Sequence, residues 1–186
     1  ALSPLGGLDV LVNCVGVSGP AGPLESLTLD DWRACLAANL DSAFLCSRQA
    51  IPGLKAQGSG LIVNLSSTAG QFGYPHRSPY ATAKWGVIGL TKTLAMELGP
   101  FGIRVNAICP GPVAGPRMDR VIAMEAAASG RSEAEIREGY AATTSLRRFV
   151  EAADIADCIL FLASPGGAKI SGQALAVDGH SERLVT

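Results

Sequence analysis

The sequence predicts an α/β fold: a doubly wound parallel sheet of about four strands with helices on both faces. Two observations lead there. Short apolar runs alternate with longer helical patterns, as βα units do. The runs also end in turn-forming or small polar residues, at Asn13-Cys14-Val15-Gly16, Ser66-Ser67 and Pro110-Gly111. In such sheets the functional groups gather at the carboxyl ends of the strands.

The elements follow in order. Residues 9–14 read as the first strand, and 16–23 as a Gly/Pro-rich loop. A helix starts after Thr28, whose hydroxyl suits an N-cap, with Asp30 and Asp31 in the first turn. It runs through Trp32, Leu36, Leu40 and Phe44 to about residue 54, and Gly58-Ser59-Gly60 closes the unit. The second strand is 61–65, followed by a loop over 67–77. Ser78 and Pro79 open a helix that ends near Leu98 at Gly99-Pro100. The third strand is 103–108. Residues 117–147 are helical, with a break at Ser129-Gly130, and a further helix covers 152–163. The last strand is 173–177. Alternation with helices predicts that each strand is buried on both faces.

Composition narrows the classes. The chain has 186 residues, 48% of them hydrophobic and 17% charged, which supports one domain, 1–186, with a substantial core. Aromatic residues are 5%, so Ala, Val, Ile and Leu must build that core. The net charge is −1 with no basic block, so nucleic-acid binding has no electrostatic support. No apolar run is long enough for a bilayer, and residues 1–4 do not read as a signal peptide. Five cysteines without a Cys-x-x-Cys read as reduced core thiols of a cytoplasmic protein. His76 and His180 have no ligand-spaced partners, so no metal site is expected.

Three side chains carry the chemistry. Tyr80 and Lys84 stand four residues apart on one helical face, and Ser67 lies 13 positions upstream of Tyr80 at a strand end. A hydroxyl, a phenol and a cation are the parts for moving a proton to or from a carbinol oxygen. The unperturbed phenol pKa is about 10, so the neighbouring Lys84 is expected to lower it.

From residue 8 to residue 179 the chain resembles the short-chain dehydrogenase/reductase family. Leu8 to Gly16 resembles that family's fourth strand and Asn-Asn-Ala-Gly motif, and Asn39 its helix asparagine. Ile62 to Ser67 resembles the serine strand, and Tyr80 to Lys84 the Tyr-x-x-x-Lys motif. Arg104-Val105-Asn106 with Pro110-Gly111 resembles the sixth strand and its turn; Ser171-Gly172-Gln173 and Val177-Asp178-Gly179 resemble the last strand.

The resemblance implies a Rossmann-like sheet and an NAD- or NADP-dependent oxidoreductase of the short type, acting on a small alcohol or ketone. It implies Tyr80 as general acid or base, Ser67 as the group that holds the substrate oxygen, and Lys84 on the nicotinamide ribose. Asn39 would hold a water linking Lys84 to solvent. Pro110, Gly111 and Val113 would frame the nicotinamide, and Asn13 and Gly16 would pass near the adenosine ribose. Residues 117–147 would form a substrate lid. Gly86 and Gly89, with Ala81 and Ala83, suit the family's dimer-forming helix, so a homodimer or homotetramer is implied.

The sequence also departs from the pattern. Cys14-Val15 replaces Asn-Ala, Gly115 stands where the family commonly has Thr, and His180 replaces a frequent second Gly. The three strands that precede Leu8 in the family, with the Gly-rich turn that holds the pyrophosphate, have no counterpart in residues 1–186, and the chain does not begin with Met. The stretch therefore reads as the carboxyl-terminal two-thirds of a dehydrogenase, expected not to turn over in isolation. The alternative is a truncated protein that keeps the family's oligomer surfaces as an assembly or regulatory partner.

Overall fold

The computed structural model describes residues 6–181; the leader reading of residues 1–4 lies outside them. Four parallel strands, β1 (Val10–Asn13), β2 (Gly60–Leu65), β3 (Ile103–Pro110) and β4 (Ala174–Val177), form one sheet in that spatial order. Leu11 pairs with Ile62, Ile62 with Val105, and Ile108 with Leu175. The fold is a Rossmann-like α/β sheet with flanking helices.

Six α-helices connect and cover it: α1 (Leu29–Leu36), α2 (Ser42–Gln57), α3 (Ser78–Leu98), α4 (Pro116–Ser129), α5 (Glu133–Ala142) and α6 (Ala152–Ala163). Thr28 caps α1 as its side chain predicts: the hydroxyl accepts from Asp31 N–H while the Asp31 carboxylate accepts from Thr28 N–H. Gly58 ends α2 at φ 72°, a left-handed stop that favours glycine.

Strand periodicity sorts the apolar residues between two cores. Ile62, Ile103 and Val105 face Ala50, Leu54, Leu94 and Leu98 of α2 and α3. Leu61, Val63 and Ile108 face Leu162 of α6. Burial on both faces holds for β2 and β3 but not for the outer strands. Val12 of β1, a strand with one neighbouring strand among the described residues, is 39% exposed.

Two further expectations need correction. The helix over 28–54 is not regular: a π turn, Ala37–Asp41, joins α1 to α2 and sets Asn39 inward. Nor are all five cysteines core residues. Cys35 and Cys109 are buried and Cys158 is half-buried, but Cys14 and Cys46 are exposed. Gly86 serves packing within the chain, since a Cβ there would lie 2.9 Å from Leu40 of the π turn, whereas Gly89 faces open space.

One polar chain crosses the sheet interior. Asn13 Nδ2 donates to Asn64 Oδ1 (2.8 Å) and Ser47 Oγ (3.1 Å), and Asn64 Nδ2 donates to Thr91 Oγ1 (2.9 Å). Each partner is satisfied, which removes the cost of burying an amide between apolar strands.

Leu54 has no exposed surface and touches both the sheet and α3. Leu54→Ala is expected to cost about 2–5 kcal/mol of stability, read as a lower urea midpoint with an unchanged slope.

Candidate active site

The site forms where β2 ends against the first turn of α3. Ser67 leaves the strand in extended backbone (φ −172°) and caps a short 3-10 turn, Thr68–Gly70, its hydroxyl accepting from Ala69 N–H at 3.1 Å. The same hydroxyl stands close enough to the Tyr80 phenol to draw its pKa down. Lys84 follows one turn along α3 and is 4% exposed. Its ammonium donates to the Leu65 carbonyl at 2.9 Å and sits 5.7 Å from the Tyr80 ring centroid. A second bond runs the other way, Ser66 Oγ donating to the Lys84 carbonyl at 2.8 Å. The 3-10 turn can come this close because Gly70 has no side chain: a Cβ would lie 2.7 Å from the Lys84 carbonyl oxygen.

The electrostatics differ from the expected pattern. Burial pushes the Tyr80 phenol above its ordinary value; the Ser67 hydroxyl and the Arg117 charge pull it back by less. The expected lowering of the Tyr80 pKa is therefore corrected in direction: desolvation outweighs the nearby charges. Lys84 itself is lowered to about 8, by burial first and by Arg117 second.

Asn39 reaches the site from the π turn. Its Nδ2 donates to the Val17 carbonyl (3.0 Å) and the Cys35 carbonyl (2.9 Å), and its Oδ1 accepts from Val17 N–H (3.2 Å). The side chain thus pins the loop after β1 beside Lys84. Gly16 lies in that loop, and a Cβ on it would stand 2.7 Å from Asn39 Oδ1 and 3.3 Å from Lys84 Nζ. Only a residue without a side chain lets this strip of backbone approach Asn39 and Lys84 so closely. Asn13 is placed differently: its amide is committed to Ser47 and Asn64 inside the fold.

At the end of β3, Gly111 packs so closely on Asp178 that a Cβ would lie 2.9 Å from its Cα. Pro112 O accepts from Val150 N–H at 2.9 Å, and Val113 pairs with Val150, which fixes the Pro110–Val113 turn. Gly115 has φ 132°, a conformation that threonine adopts only under strain. His180 has φ 65°, which accounts for a preference for glycine there; its Nδ1 lies 2.6 Å from Ser145 Oγ. Cys109 is buried beside the turn, its thiol pushed up to about 11 by burial, so it is no ready nucleophile.

Sequence reasoning missed Arg117, Arg77 and Tyr74. Arg117 Nη1 donates to the Gly16 carbonyl at 3.4 Å across 101 positions of chain, and its charge acts on both Tyr80 and Lys84. Arg77 reaches the Gly19 carbonyl at 3.4 Å, and Tyr74 acts on both Tyr80 and Tyr140. The Arg117–Gly16 and Arg77–Gly19 pairings have no local sequence signal, because their partners lie 101 and 58 positions apart.

The 117–147 segment folds as a helical hairpin. Ile122, Ala126 and Ile136 form a small core of their own, and Arg137 pairs with Asp119. Tyr140 Oη donates to Glu125 at 2.9 Å. Among the described residues, no cluster of His, Cys, Asp and Glu gathers to hold a metal, and no helix is long and apolar enough to cross a membrane.

This geometry agrees with what the chain is similar to. A family model described as enoyl-(acyl carrier protein) reductase matches residues 1–179. Trans-4-hydroxycyclohexanecarboxylate dehydrogenase of Sinomonas cyclohexanicum is 41% identical, over 96% of this chain and 62% of its own length. D-beta-hydroxybutyrate dehydrogenase of Rhizobium meliloti (strain 1021) is 37% identical, over 94% and 67% respectively. The structure of a variant actinorhodin polyketide ketoreductase with NADPH superposes with a TM-score of 0.90 at 35% identity, covering 96% of this chain and 69% of that one. The chain belongs to the short-chain dehydrogenase/reductase family. It spans 62% to 69% of the length of these three relatives.

Two predictions follow from the geometry. Gly16→Ala forces Asn39 or Lys84 to move and is expected to cost roughly 1–3 kcal/mol, measured as a lower thermal midpoint. Lys84 is lowered to about 8 in the fold, against 10.5 when solvated. Between those values the unfolded chain binds more protons, so stability should rise with pH across that window and fall again as pH drops through about 8. Denaturation of wild type against Lys84→Met at several pH values checks this: the rise should be absent in the variant.

Proposed function

We propose that this chain carries the proton-transfer half of an NAD- or NADP-dependent oxidoreductase that interconverts a secondary alcohol and a ketone. The observation that carries the reading is the Ser67–Tyr80 hydroxyl pair at the exit of β2, with a buried lysine one helical turn behind it.

Ser67 Oγ and Tyr80 Oη present two hydroxyls to one substrate oxygen. Tyr80 donates its proton to a ketone oxygen during reduction, or removes one from the alcohol during oxidation, while Ser67 holds that oxygen by a hydrogen bond. The raised Tyr80 pKa keeps the phenol protonated at neutral pH, which suits proton donation. When bound, the nicotinamide supplies or accepts the hydride at the carbinol carbon.

Such a cofactor would lie along the Gly16 backbone, the Lys84 ammonium and the Pro110–Val113 turn, and the Cβ contacts at Gly16 and Gly111 account for glycine in both places. Lys84 would hold the nicotinamide ribose, and Pro110, Gly111 and Val113 would frame the ring. Asn13 and Gly16 would pass the adenosine ribose through their backbone. The direct bonds of Asn39 to Val17 support a role in positioning that loop, with the water relay to Lys84 as a further proposal. The α4–α5 hairpin would act as the substrate lid. Exposed Phe44 on α2 and Trp85 on α3 favour a homo-oligomer built on those helices.

In the full-length protein that contains this chain, Tyr80→Phe should lower kcat by roughly 10²- to 10⁴-fold, with cofactor affinity kept within about twofold. Near-normal turnover would refute the acid-base role. Oxidation of the alcohol should accelerate with rising pH, as the phenol loses its proton above its ordinary value near 10. That limb of the rate profile should vanish in Tyr80→Phe.

A further inference from the structure

We propose that Arg117 is a ligand of the dinucleotide's diphosphate, a cation that reaches the cofactor from the first turn of the lid helix. This rests on the reading of the cleft as a nicotinamide dinucleotide site and adds a residue to it.

Arg117 is tied to both walls of that cleft. Its backbone follows the Pro110–Val113 turn by four positions. Ala114, between them, donates its N–H to the Val150 carbonyl at 2.8 Å, so the start of α4 stays beside the turn. From there the guanidinium crosses to the loop after β1, where Nη1 donates to the Gly16 carbonyl at 3.4 Å. The Lys84 ammonium approaches the same glycine, 3.3 Å from where a Cβ would stand. Among the described residues, Arg77 is the other cation whose side chain bonds this loop, and it does so three residues farther on, at Gly19.

The order of groups in the cofactor then names the anion. A nicotinamide dinucleotide runs from the nicotinamide through one ribose, a diphosphate and a second ribose to the adenine. In the proposed site the Pro110–Val113 turn takes the ring, Lys84 the first ribose and the Gly16 backbone the second. Between the two riboses lies only the diphosphate. Arg117 joins the turn side to Gly16, the walls between which that diphosphate must pass.

The charges point the same way. Two cations converge on Gly16, and both are bonded to neutral carbonyls, Lys84 to Leu65 and Arg117 to Gly16 itself. The acids on α4 are engaged elsewhere, Asp119 by Arg137 and Glu125 by the Tyr140 phenol. Arg117 thus spends one of five donors on a long bond to a weak acceptor. Phosphate oxygens match the planar fork in pairs and supply the missing counter-charge.

The test uses the full-length protein containing this chain and equilibrium titration, with no turnover. The probes are NADH, NADPH, ADP-ribose, which keeps the diphosphate without the nicotinamide, and adenosine, which has no phosphate. Arg117→Gln should weaken NADH, NADPH and ADP-ribose by one common factor, roughly tenfold, and leave adenosine within about twofold. The affinity for ADP-ribose should fall less steeply with salt in that variant than in wild type. Arg117→Lys should recover part of the loss, and Arg120→Gln on the same helix should match wild type with all four probes.

Unchanged ADP-ribose binding in Arg117→Gln would overturn the proposal while leaving the dehydrogenase reading intact. So would an equal loss for adenosine, which would make the arginine a structural residue, or a loss confined to NADPH, which would move it to the phosphate on the adenosine ribose. Wild type that binds none of the dinucleotides would overturn both.

Discussion

The buried ammonium of Lys84 is the constraint from which the rest of the site follows. A lysine 4% exposed loses most of its hydration, and the structure returns one strong acceptor, the Leu65 carbonyl at 2.9 Å. That bond joins the first turns of α3 to the last residue of β2. The reciprocal bond from Ser66 to the Lys84 carbonyl closes the joint. With helix and strand locked in two places, the Ser67 hydroxyl and the Tyr80 phenol have little choice but to meet.

The same burial sets the electrostatic character of the site. Removing water raises the Tyr80 phenol and lowers the Lys84 ammonium, so both groups are driven toward their neutral forms. Arg117 opposes the first shift and reinforces the second. The site is therefore a partly buried, cationic place around a protonated phenol. In the proposed reaction such a place would stabilise negative charge that develops on the substrate oxygen.

Glycine and asparagine do the remaining positioning. Gly16, Gly70 and Gly111 stand where a Cβ would collide with backbone or with Asn39 and Asp178. Asn39 gains its inward direction from a π turn, the local irregularity that interrupts an otherwise plain helix pair. Asn64 ties β1 to α3 through Asn13 and Thr91. The strand ends are held by polar networks, while Ala, Val, Ile and Leu fill the two cores behind them.

Much of this was legible in the chain. Alternating apolar runs placed the four strands, Thr28 and Ser78-Pro79 placed helix starts, and spacing singled out Ser67, Tyr80 and Lys84 as candidates, because these signals are local or repeat with helix and strand period. Local pattern did not show the π turn, the exposure of Val12 on β1, or the surface positions of Cys14 and Cys46. Each depends on which distant segment covers a residue. Nor did it show that Tyr80 is raised, since a tyrosine's pKa is a sum over burial and every nearby charge. Sequence by itself determined the order of the elements and singled out Ser67, Tyr80 and Lys84, the groups proposed to carry the proton transfer. Only the tertiary structure decided how dry the site is, and that Arg117 meets Gly16 from 101 residues away, because desolvation and long-range contact exist only once the chain has closed on itself.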